Sequence, residues 1–380
     1  LGSGDAAGEV LGAYTAEQLP VLYGLARHYA VSDRWFSSVP TETDPNRAFS
    51  VCGTSLGRTG DIPDEPFDAP TMFDGLDNAG VSWGIYWQYN GWLDLDLDVA
   101  NRVCWTVDRF PRIRDSLEAG NGHVAHYPDF LHRLRHNEPI PEVCYVEPFW
   151  GWGLGEPDSD DFTGLQGNDY HPPTWVGPAE RDLNELYEAL IGSAQWKNML
   201  VIISFDEHGG TWDHVAPPAA VPPDAHVGTY GNGQRFAFDR FGPRVPTILV
   251  SPWIEPGTVF RPPETSAYPF DHTSVIATLL GWAGTDPAFT AQLGQRVAHA
   301  PTFETALSTS RFDGPPPTFA PPPAPPGGQL AKGPHGWPFD LERLPWGDLR
   351  ALAAALGVDA PLDAATLFAA ARRRFGRSIS

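Results

Sequence analysis

Lysine, cysteine and long apolar runs are scarce in this chain of 380 residues. The only lysines are Lys197 and Lys332, and arginine supplies the other basic residues, which we interpret as a bias of genomic composition. The three cysteines, Cys52, Cys104 and Cys144, permit one disulfide at most and exclude a multi-cysteine metal site. No apolar run is long enough to span a bilayer, so we expect no transmembrane segment.

Positive charge is in the minority, since 25 Lys and Arg residues stand against 47 Asp and Glu residues, for a net charge of -22. This charge repels a nucleic-acid backbone, so we expect no nucleic-acid partner. A small anionic substrate remains compatible with it, because a bound cation reverses the potential locally. The first residues, LGSGDAAGEVLGAY, have no basic n-region and no apolar h-region, so we do not interpret them as a signal peptide. Since they also lack an initiator Met, we expect a processed or truncated chain, or one that an earlier segment precedes.

Short apolar runs alternate with amphipathic segments over most of the chain. The predicted strands lie around residues 81–87, 143–146, 199–205 and 245–253, and the predicted helices cover residues 15–29, 179–191 and 274–282. Buried strands that alternate with helices are typical of a mainly parallel sheet with helices on both faces. The sequence therefore predicts the α/β class.

Proline dominates residues 312–338, including the run GPPPTFAPPPAPPGGQ. This composition predicts a semi-rigid extended linker or strap. We therefore divide the chain into a globular domain over residues 1–311, the Pro-rich segment over 312–338 and a helical tail over 339–380.

The strongest candidate site follows the predicted strand VIISF, in the sequence DEHGG of residues 206–210. Ligands of parallel α/β sheets bind beyond the carboxyl ends of the strands. The carboxylates of Asp206 and Glu207 could converge there on one hard cation. A lone acidic residue in this place would often be a turn or cap residue. The pair, followed by His208 and by WDH at residues 212–214, favours a metal or catalytic site.

A second candidate lies in SSVPTETDPNRAF, where Asp44 is predicted to cap a helix and Pro45 to be its first residue. Thr43 would then lie just ahead of a helix N terminus, whose free N–H groups suit a phosphate or a developing alkoxide. A threonine nucleophile can be activated by metal coordination. The alternative is a surface turn rich in hydroxyls and acids.

Two histidine motifs are weaker candidates. His171 in NDYHP could protonate a leaving-group oxygen or hold a phosphoryl oxygen, although an isolated loop histidine is more often only exposed. In FDHTSV we favour a structural interpretation, in which Asp271 or Thr273 caps a helix and His272 supports a site residue.

Taken together, these motifs resemble the bacterial phosphoesterase family that joins non-haemolytic-type phospholipases C with an acid phosphatase group, within the alkaline phosphatase superfamily. The matching stretches occur in the family's order from Gly8 to Trp282: LPVLYGLARHYAVSDRWFSSVPTETDPNRAF, NDYHPP, NMLVIISFDEHGGTWDHVAPP, FGPRVPTILVSPWIEPG and FDHTSV. The resemblance implies an alkaline phosphatase-like hydrolase domain over residues 1–311. It also implies export to the periplasm or the extracellular space.

The resemblance further implies that Thr43 is the nucleophile and that Thr43, Asp206 and Glu207 ligate a metal. His171 would act near the leaving group, and His208 completes the catalytic candidates. A phospho-threonine intermediate would form and then be hydrolysed by water. Oxygen ligands favour one divalent ion such as Ca²⁺, Mg²⁺ or Mn²⁺.

The chain departs from the family pattern in two places. The remaining metal ligands of the family, a Glu-Asn pair in an ENRSFDHYFG-like segment, belong upstream of Gly8, and no stretch of this chain matches them. Three explanations stay open: an earlier segment that was cleaved off, a second polypeptide that supplies these ligands, or a decayed scaffold that has lost them. The usual Gly-Pro before the nucleophile is replaced by Thr41 and Glu42, which makes Thr41 a rival nucleophile and adds negative charge.

Three functions follow from these patterns. The leading one is metal-dependent phosphodiester hydrolysis of the phospholipase C kind, acting on a small phosphoester or a phospholipid head group. Aromatic residues could hold a quaternary ammonium group or could serve only in packing; they are Trp83, Trp87, Trp92, Phe149, Trp150 and Trp152. The alternatives are an acid phosphatase for monoesters and a non-catalytic binding protein on a decayed hydrolase scaffold.

Overall fold

The computed structural model describes residues 11–61, 65–88, 104–150, 152–154, 163–165, 167–171 and 176–322. The predicted tail over 339–380, the Pro-rich segment beyond residue 322 and Trp92 lie outside these ranges.

Helices and strands alternate along the described chain. The helices are α1 (Pro20–His28), α2 (Thr43–Cys52), α3 (Met72–Ala79), α4 (Trp105–Arg109), α5 (Pro111–Glu118), α6 (Tyr127–His136), α7 (Gly177–Gly192), α8 (His272–Ala283), α9 (Pro287–Thr290) and α10 (Gly294–His299). The strands are β1 (Ala30–Ser32), β2 (Trp83–Trp87), β3 (Val124–His126), β4 (Val143–Glu147), β5 (Trp152–Leu154), β6 (Thr163–Leu165), β7 (Val201–Ser204), β8 (Gly228–Thr229), β9 (Arg235–Phe236), β10 (Thr247–Val250) and β11 (Thr258–Phe260). The predicted strands and helices are therefore present, most of them shorter than expected.

The first helix begins later than its apolar spacing predicts. The predicted helix covers residues 15–29, but α1 starts at Pro20, with Leu19 at the N-cap. Proline is favourable at the first helical position and disfavours helical geometry in the residue before it. Pro20 therefore sets the start of α1.

Two sheets form the centre of the molecule. In the four-stranded sheet, of order β11-β1-β10-β7, β1 is parallel to β11, whereas β10 is antiparallel to both β1 and β7. The three-stranded sheet, of order β3-β2-β4, is parallel throughout. The α/β class is confirmed, with a mixed strand arrangement. Apolar composition indicates that a strand is buried, but not which way it runs beside its neighbours.

Strand β2 shows that helices cover both faces of its sheet. Its residues Trp83, Ile85 and Trp87 pack with α2, α3 and α8, while Tyr86 packs with α6 and α7. Successive side chains of a strand point to opposite faces, so the two groups of helices lie on opposite sides. This confirms the predicted two-sided cover.

The described part of the Pro-rich segment lies against the body of the molecule. The ring of Phe319 contacts the rings of His28 and Tyr187, with centroids 5.9 and 5.3 Å apart. The Tyr187 hydroxyl donates to the Pro317 carbonyl at 3.0 Å. Pro317 and Phe319 of this segment therefore contact α1 and α7, and the predicted linker or strap and the domain division stay predictions.

The three cysteines all lie within the described residues. Cys52, Cys104 and Cys144 are all free thiols. Among the helices within the described ranges, each is too short or too polar to cross a bilayer.

Candidate active site

The acidic pair follows the end of β7 and is held by main-chain contacts. The Asp206 carboxylate accepts the Glu207 N–H at 3.0 Å. The Asp206 carbonyl lies 2.7 Å from Nε2 of His272, the buried first residue of α8. His272 therefore supports the main chain at Asp206, as the sequence led us to expect.

Glu207 is the member of the acidic pair on which both candidate histidines, His171 and His208, act. Its Oε2 accepts the Gly209 N–H at 2.7 Å and lies 3.4 Å from Nδ1 of His208. Burial by itself would raise the pKa of Glu207, but His208, the Gly209 N–H and the charge of His171 outweigh it and lower that pKa. His171 and His208 therefore both act electrostatically on Glu207.

The segment before His171 has an unusual backbone. Tyr170 has a φ of 60°, in the left-handed region that side-chain-bearing residues rarely adopt. The His171 N–H donates to the Asp169 carboxylate at 3.3 Å. His171 is exposed, and its charge contributes to the lowered pKa of Glu207.

Thr43 is the first residue of α2 rather than the residue ahead of the helix. The expected cap at Asp44 and first position at Pro45 are wrong, because Glu42 is the N-cap and Pro45 is the third helical residue. Proline is tolerated there since the N–H groups of a first helical turn have no acceptor within the helix. Thr43 is half-buried and belongs to the turn that carries the positive end of the helix dipole.

Asn46 holds the loop that leads into Thr43. Its buried side chain accepts the Val39 N–H at 3.0 Å and donates to the carbonyls of Val39, Thr41 and Glu42 at 3.1–3.2 Å. This one amide therefore fixes the main chain on both sides of the rival Thr41. The hydroxyl of Thr41 is buried without a hydrogen-bond partner among the described residues.

Asp44, the expected cap, is buried and serves another purpose. Its carboxylate accepts Nε1 of Trp105 at 2.7 Å and pairs with Nη2 of Arg109 at 2.9 Å. Burial raises the pKa of Asp44, although Arg109 and Trp105 oppose that change. Asp44 thus anchors the first turn of α2 to α4.

Arg47 of α2 has a positive charge that is held by an ion pair and by two aromatic rings. It lies one turn after Thr43 and pairs with buried Glu147 at the end of β4. Its guanidinium packs on the rings of Trp105 and Trp150, at 4.6 and 4.9 Å from their centroids.

Burial disfavours the charge of Arg47, yet Tyr145, Glu147 and Asp206 together raise its pKa. Arg47 therefore lies within electrostatic reach of Asp206. In turn, burial raises the pKa of Asp206, and Arg47 opposes that rise. Sequence reasoning missed this residue, although its spacing from Thr43 by one helical turn was a usable signal.

Asp61 is a second residue that sequence reasoning missed. Its carboxylate accepts the Asp44 N–H at 2.8 Å, and its N–H donates to Glu42 at 2.9 Å. Although part of Asp61 is exposed, desolvation of the carboxylate and then repulsion from Asp44, Glu42 and Asp206 raise its pKa to about 7. No pattern in the sequence pointed to this position.

Several candidate site residues carry the kind of donor atom that a hard cation prefers. Carboxylate and hydroxyl oxygens of Asp206, Glu207 and Thr43 suit a hard divalent ion. Desolvation by burial, and secondarily repulsion from neighbouring carboxylates, raises the pKa of Asp206 and of Asp61, and a nearby cation would oppose both rises. Within the described ranges, however, no group of three or more His, Cys, Asp or Glu side chains is arranged to hold a metal. A complete shell would need further ligands.

The residues that follow the acidic pair have a structural role. Asp213 forms a two-pronged ion pair with Arg244, at 2.7 and 2.8 Å. Hydrogen bonding to Arg244 lowers the pKa of Asp213 to about 2, although partial burial opposes it. The neighbouring His214 is mostly exposed. Asp213 thus ties the loop after β7 to the start of β10.

The aromatic residues proposed to hold a head group lie in different surroundings, and Phe149 among them is half-buried. Trp83 and Trp87 are buried and pack in the core. Trp150 lies against Arg47. The side chain of Trp152 is outside the described residues, as is Trp92. An aromatic cage for a quaternary ammonium group therefore stays a prediction.

The chain matches one family model and is similar in sequence to several phospholipases C. The model of the Phosphoesterase family matches residues 3–281. The chain is 34% identical over 302 residues to non-specific phospholipase C1 of Arabidopsis thaliana, covering 78% of this chain and 51% of that protein. It is 28% identical over 288 residues to phospholipase C A of Mycobacterium tuberculosis, covering 70% of this chain and 51% of that protein. The chain thus spans about half the length of the curated relatives it matches.

Among solved structures, the chain is similar to a protein in the alkaline phosphatase superfamily from Vibrio parahaemolyticus. The sequence identity is 13% and the TM-score is 0.40, over 77% of this chain and 65% of that one.

Proposed function

The chain belongs to the Phosphoesterase family, and on that premise we propose that it is a hydrolase of phosphoric ester bonds, acting as a phospholipase C-like phosphodiesterase. The names of its relatives support this choice of ester. The observation that carries the proposal is Arg47. It lies one helical turn after Thr43 on α2 and pairs with buried Glu147, so that its positive charge is held on the helix that carries the proposed nucleophile.

In the proposed reaction, the Thr43 hydroxyl gives its proton to solvent, its oxygen attacks phosphorus, and the bond from phosphorus to the leaving-group oxygen breaks. His171 gives that oxygen its proton, and the phosphoryl group remains on Thr43 as an ester. Water then attacks phosphorus and gives one proton to His171, the Thr43 oxygen leaves and takes a proton from solvent, and the phosphomonoester product is released. The first turn of α2 stabilises negative charge that develops on the phosphoryl oxygens.

A divalent ion, when bound, would lower the pKa of the Thr43 hydroxyl and neutralise charge on the phosphoryl group. Thr43, Asp206 and Glu207 would hold it. The remaining ligands would come from another part of a longer protein or from a second polypeptide. Ca²⁺, Mg²⁺ and Mn²⁺ are the ions we propose.

The test is hydrolysis of p-nitrophenylphosphorylcholine and p-nitrophenyl phosphate, with each of the three ions supplied. We expect faster turnover of the diester, and a loss of at least about a hundredfold in Thr43→Ala and in Asp206→Ala. Thr41→Ala is the matched control and should keep its activity. If Thr41→Ala loses hydrolytic activity and Thr43→Ala retains it, the nucleophile is Thr41 rather than Thr43. Preference for the monoester would favour the acid phosphatase alternative.

The non-catalytic alternative has one observation in its favour, namely that the described residues do not gather three metal-ligating side chains. If this alternative is right, the chain hydrolyses neither the diester nor the monoester with any of the three ions supplied. Metal analysis of the purified chain then separates a retained site from a decayed one. Stoichiometric metal that Asp206→Ala loses indicates a site, and absence of bound metal indicates decay.

A further inference from the structure

Glu180 of α7 is a fully buried carboxylate that caps another helix. Its Oε2 accepts the Val21 N–H at 2.6 Å, and its Oε1 accepts the Leu22 N–H at 3.2 Å. These N–H groups belong to the first turn of α1, whose own N-cap, Leu19, has no side-chain oxygen. Glu180 therefore stabilises the N terminus of α1 and is itself held rigidly there.

The same carboxylate also accepts a hydrogen bond from Tyr170. The Tyr170 hydroxyl donates to Oε1 of Glu180 at 2.7 Å. The Tyr170 ring packs edge-on against Phe205, with centroids 5.5 Å apart. Phe205 is the residue before Asp206, so Tyr170 is attached both to the start of α1 and to the chain that carries the acidic pair.

This double attachment explains the left-handed backbone of Tyr170. A φ of 60° is unfavourable for a residue with a bulky side chain and persists only where the surroundings enforce it. The Glu180 carboxylate and the Phe205 ring provide that enforcement. The direction in which the chain leaves Tyr170 sets the position of His171, whose charge reaches Glu207.

We propose that Tyr170 and Glu180 are positioning residues that hold His171 beside the acidic pair. This inference rests on the proposed function of His171 in proton transfer. Neither residue touches the reacting atoms, and both act through the backbone of the turn.

The first test is Tyr170→Phe, which removes the hydroxyl and keeps the ring. We expect kcat for the chromogenic ester to fall by about tenfold, because a small displacement of an acid group is costly, while KM stays within about twofold. Tyr29→Phe is the matched control. It removes a hydroxyl that lies 2.9 Å from the Tyr187 hydroxyl in the same hydrophobic cluster, and it should leave kcat unchanged.

A double-mutant cycle separates positioning from a general loss of stability. If Tyr170 acts through His171, Tyr170→Phe lowers kcat in the wild-type background and has no further effect in His171→Ala. Independent, multiplicative losses would overturn the inference. So would an equal loss of kcat in Tyr29→Phe.

Amide hydrogen exchange provides a measurement that does not depend on turnover. The His171 N–H, which donates to Asp169, should exchange at least about tenfold faster in Tyr170→Phe than in wild type or in Tyr29→Phe. Unchanged exchange at His171 overturns the inference even in an active enzyme. A chain without activity on either ester would refute the proposed function, and faster exchange in that chain would still support the positioning role.

Discussion

The side-chain amide of Asn46 holds the main chain of the loop that precedes Thr43. It makes four hydrogen bonds to the main chain of the preceding loop, and all its partners lie within residues 39–42. Without that amide, buried carbonyl and N–H groups would lose their partners, and such groups are costly to leave unsatisfied. The position of the proposed nucleophile is therefore set by a residue one turn further along α2.

Asn46→Ala should lower both activity and stability. We expect kcat to fall by about tenfold or more, because Thr43 is less well placed, and the free energy of unfolding to fall by about 1–3 kcal/mol. Ester turnover and urea unfolding are the measurements. Asn184→Ala, which removes another buried amide that bonds Glu188 at 2.9 Å, is the control and should lower stability without changing kcat. Equal kcat losses in the two variants would contradict this role.

At the scale of the element, α2 is placed by its C-terminal end as well as by the contacts of its first turn. The helix ends at Cys52, and the C-cap residue Gly53 has a left-handed φ of 77°. A Cβ atom on Gly53 would lie 2.5 Å from the Leu293 carbonyl oxygen and 2.6 Å from Val297. The close approach lets α2 pack beside α10, so the residue has a packing role in addition to its turn conformation.

Gly53→Ala and Gly80→Ala form a matched pair. Gly80 ends α3 with a φ of 71°, but a Cβ atom there would meet nothing within 4 Å. We expect Gly80→Ala to cost about 1 kcal/mol from backbone strain alone. Gly53→Ala should cost about 1–3 kcal/mol more, since a backbone oxygen must also move. Urea unfolding measures both, and equal losses would show that packing at Gly53 is unimportant.

Over the whole molecule, a charged network joins distant parts of the chain around the four-stranded sheet. Arg244, before β10, pairs with Asp213 in the loop after β7 and donates to the Asp33 carbonyl after β1. The Asp33 side chain pairs with Arg261 after β11. The network therefore holds the active-site loop against the ends of three strands.

The Asp213–Arg244 pair predicts a pH dependence of stability. The pKa of Asp213 is lowered from 3.8 to about 2 in the folded state, so its contribution is present above 3.8 and is lost as the pH falls through about 2. Asp213→Asn should lower the free energy of unfolding by about 1 kcal/mol near neutral pH. In strong acid, where Asp213 is protonated, the free energies of unfolding of wild type and Asp213→Asn should become nearly equal.

Denaturant unfolding across this pH range measures the effect. The control is Asp33→Asn, which breaks the more exposed pair with Arg261 and should cost about 0.5 kcal/mol or less. A deficit in Asp213→Asn that does not depend on pH would show that the loop is held by other contacts.

The sequence by itself determined the identity of the main strands and helices and the chemical character of the candidate site. Apolar runs and helical spacing are local properties, which is why β2, β4, β7 and β10 lie where they were predicted. The position of Asp206 and Glu207 after the end of a strand could likewise be predicted from the residues next to them in the sequence. The family match was available from short motifs alone, since several adjacent residues agree in each of them.

Only the tertiary structure decided what surrounds those motifs. The antiparallel direction of β10, the start of α2 at Thr43, and the contacts of Arg47 and Asp61 all depend on residues far apart in the chain. Glu180 caps α1 and holds Tyr170 only because α7 packs beside α1. Long-range packing overrides local preference and brings charges together, so the arrangement of the site could not be read from spacing along the sequence.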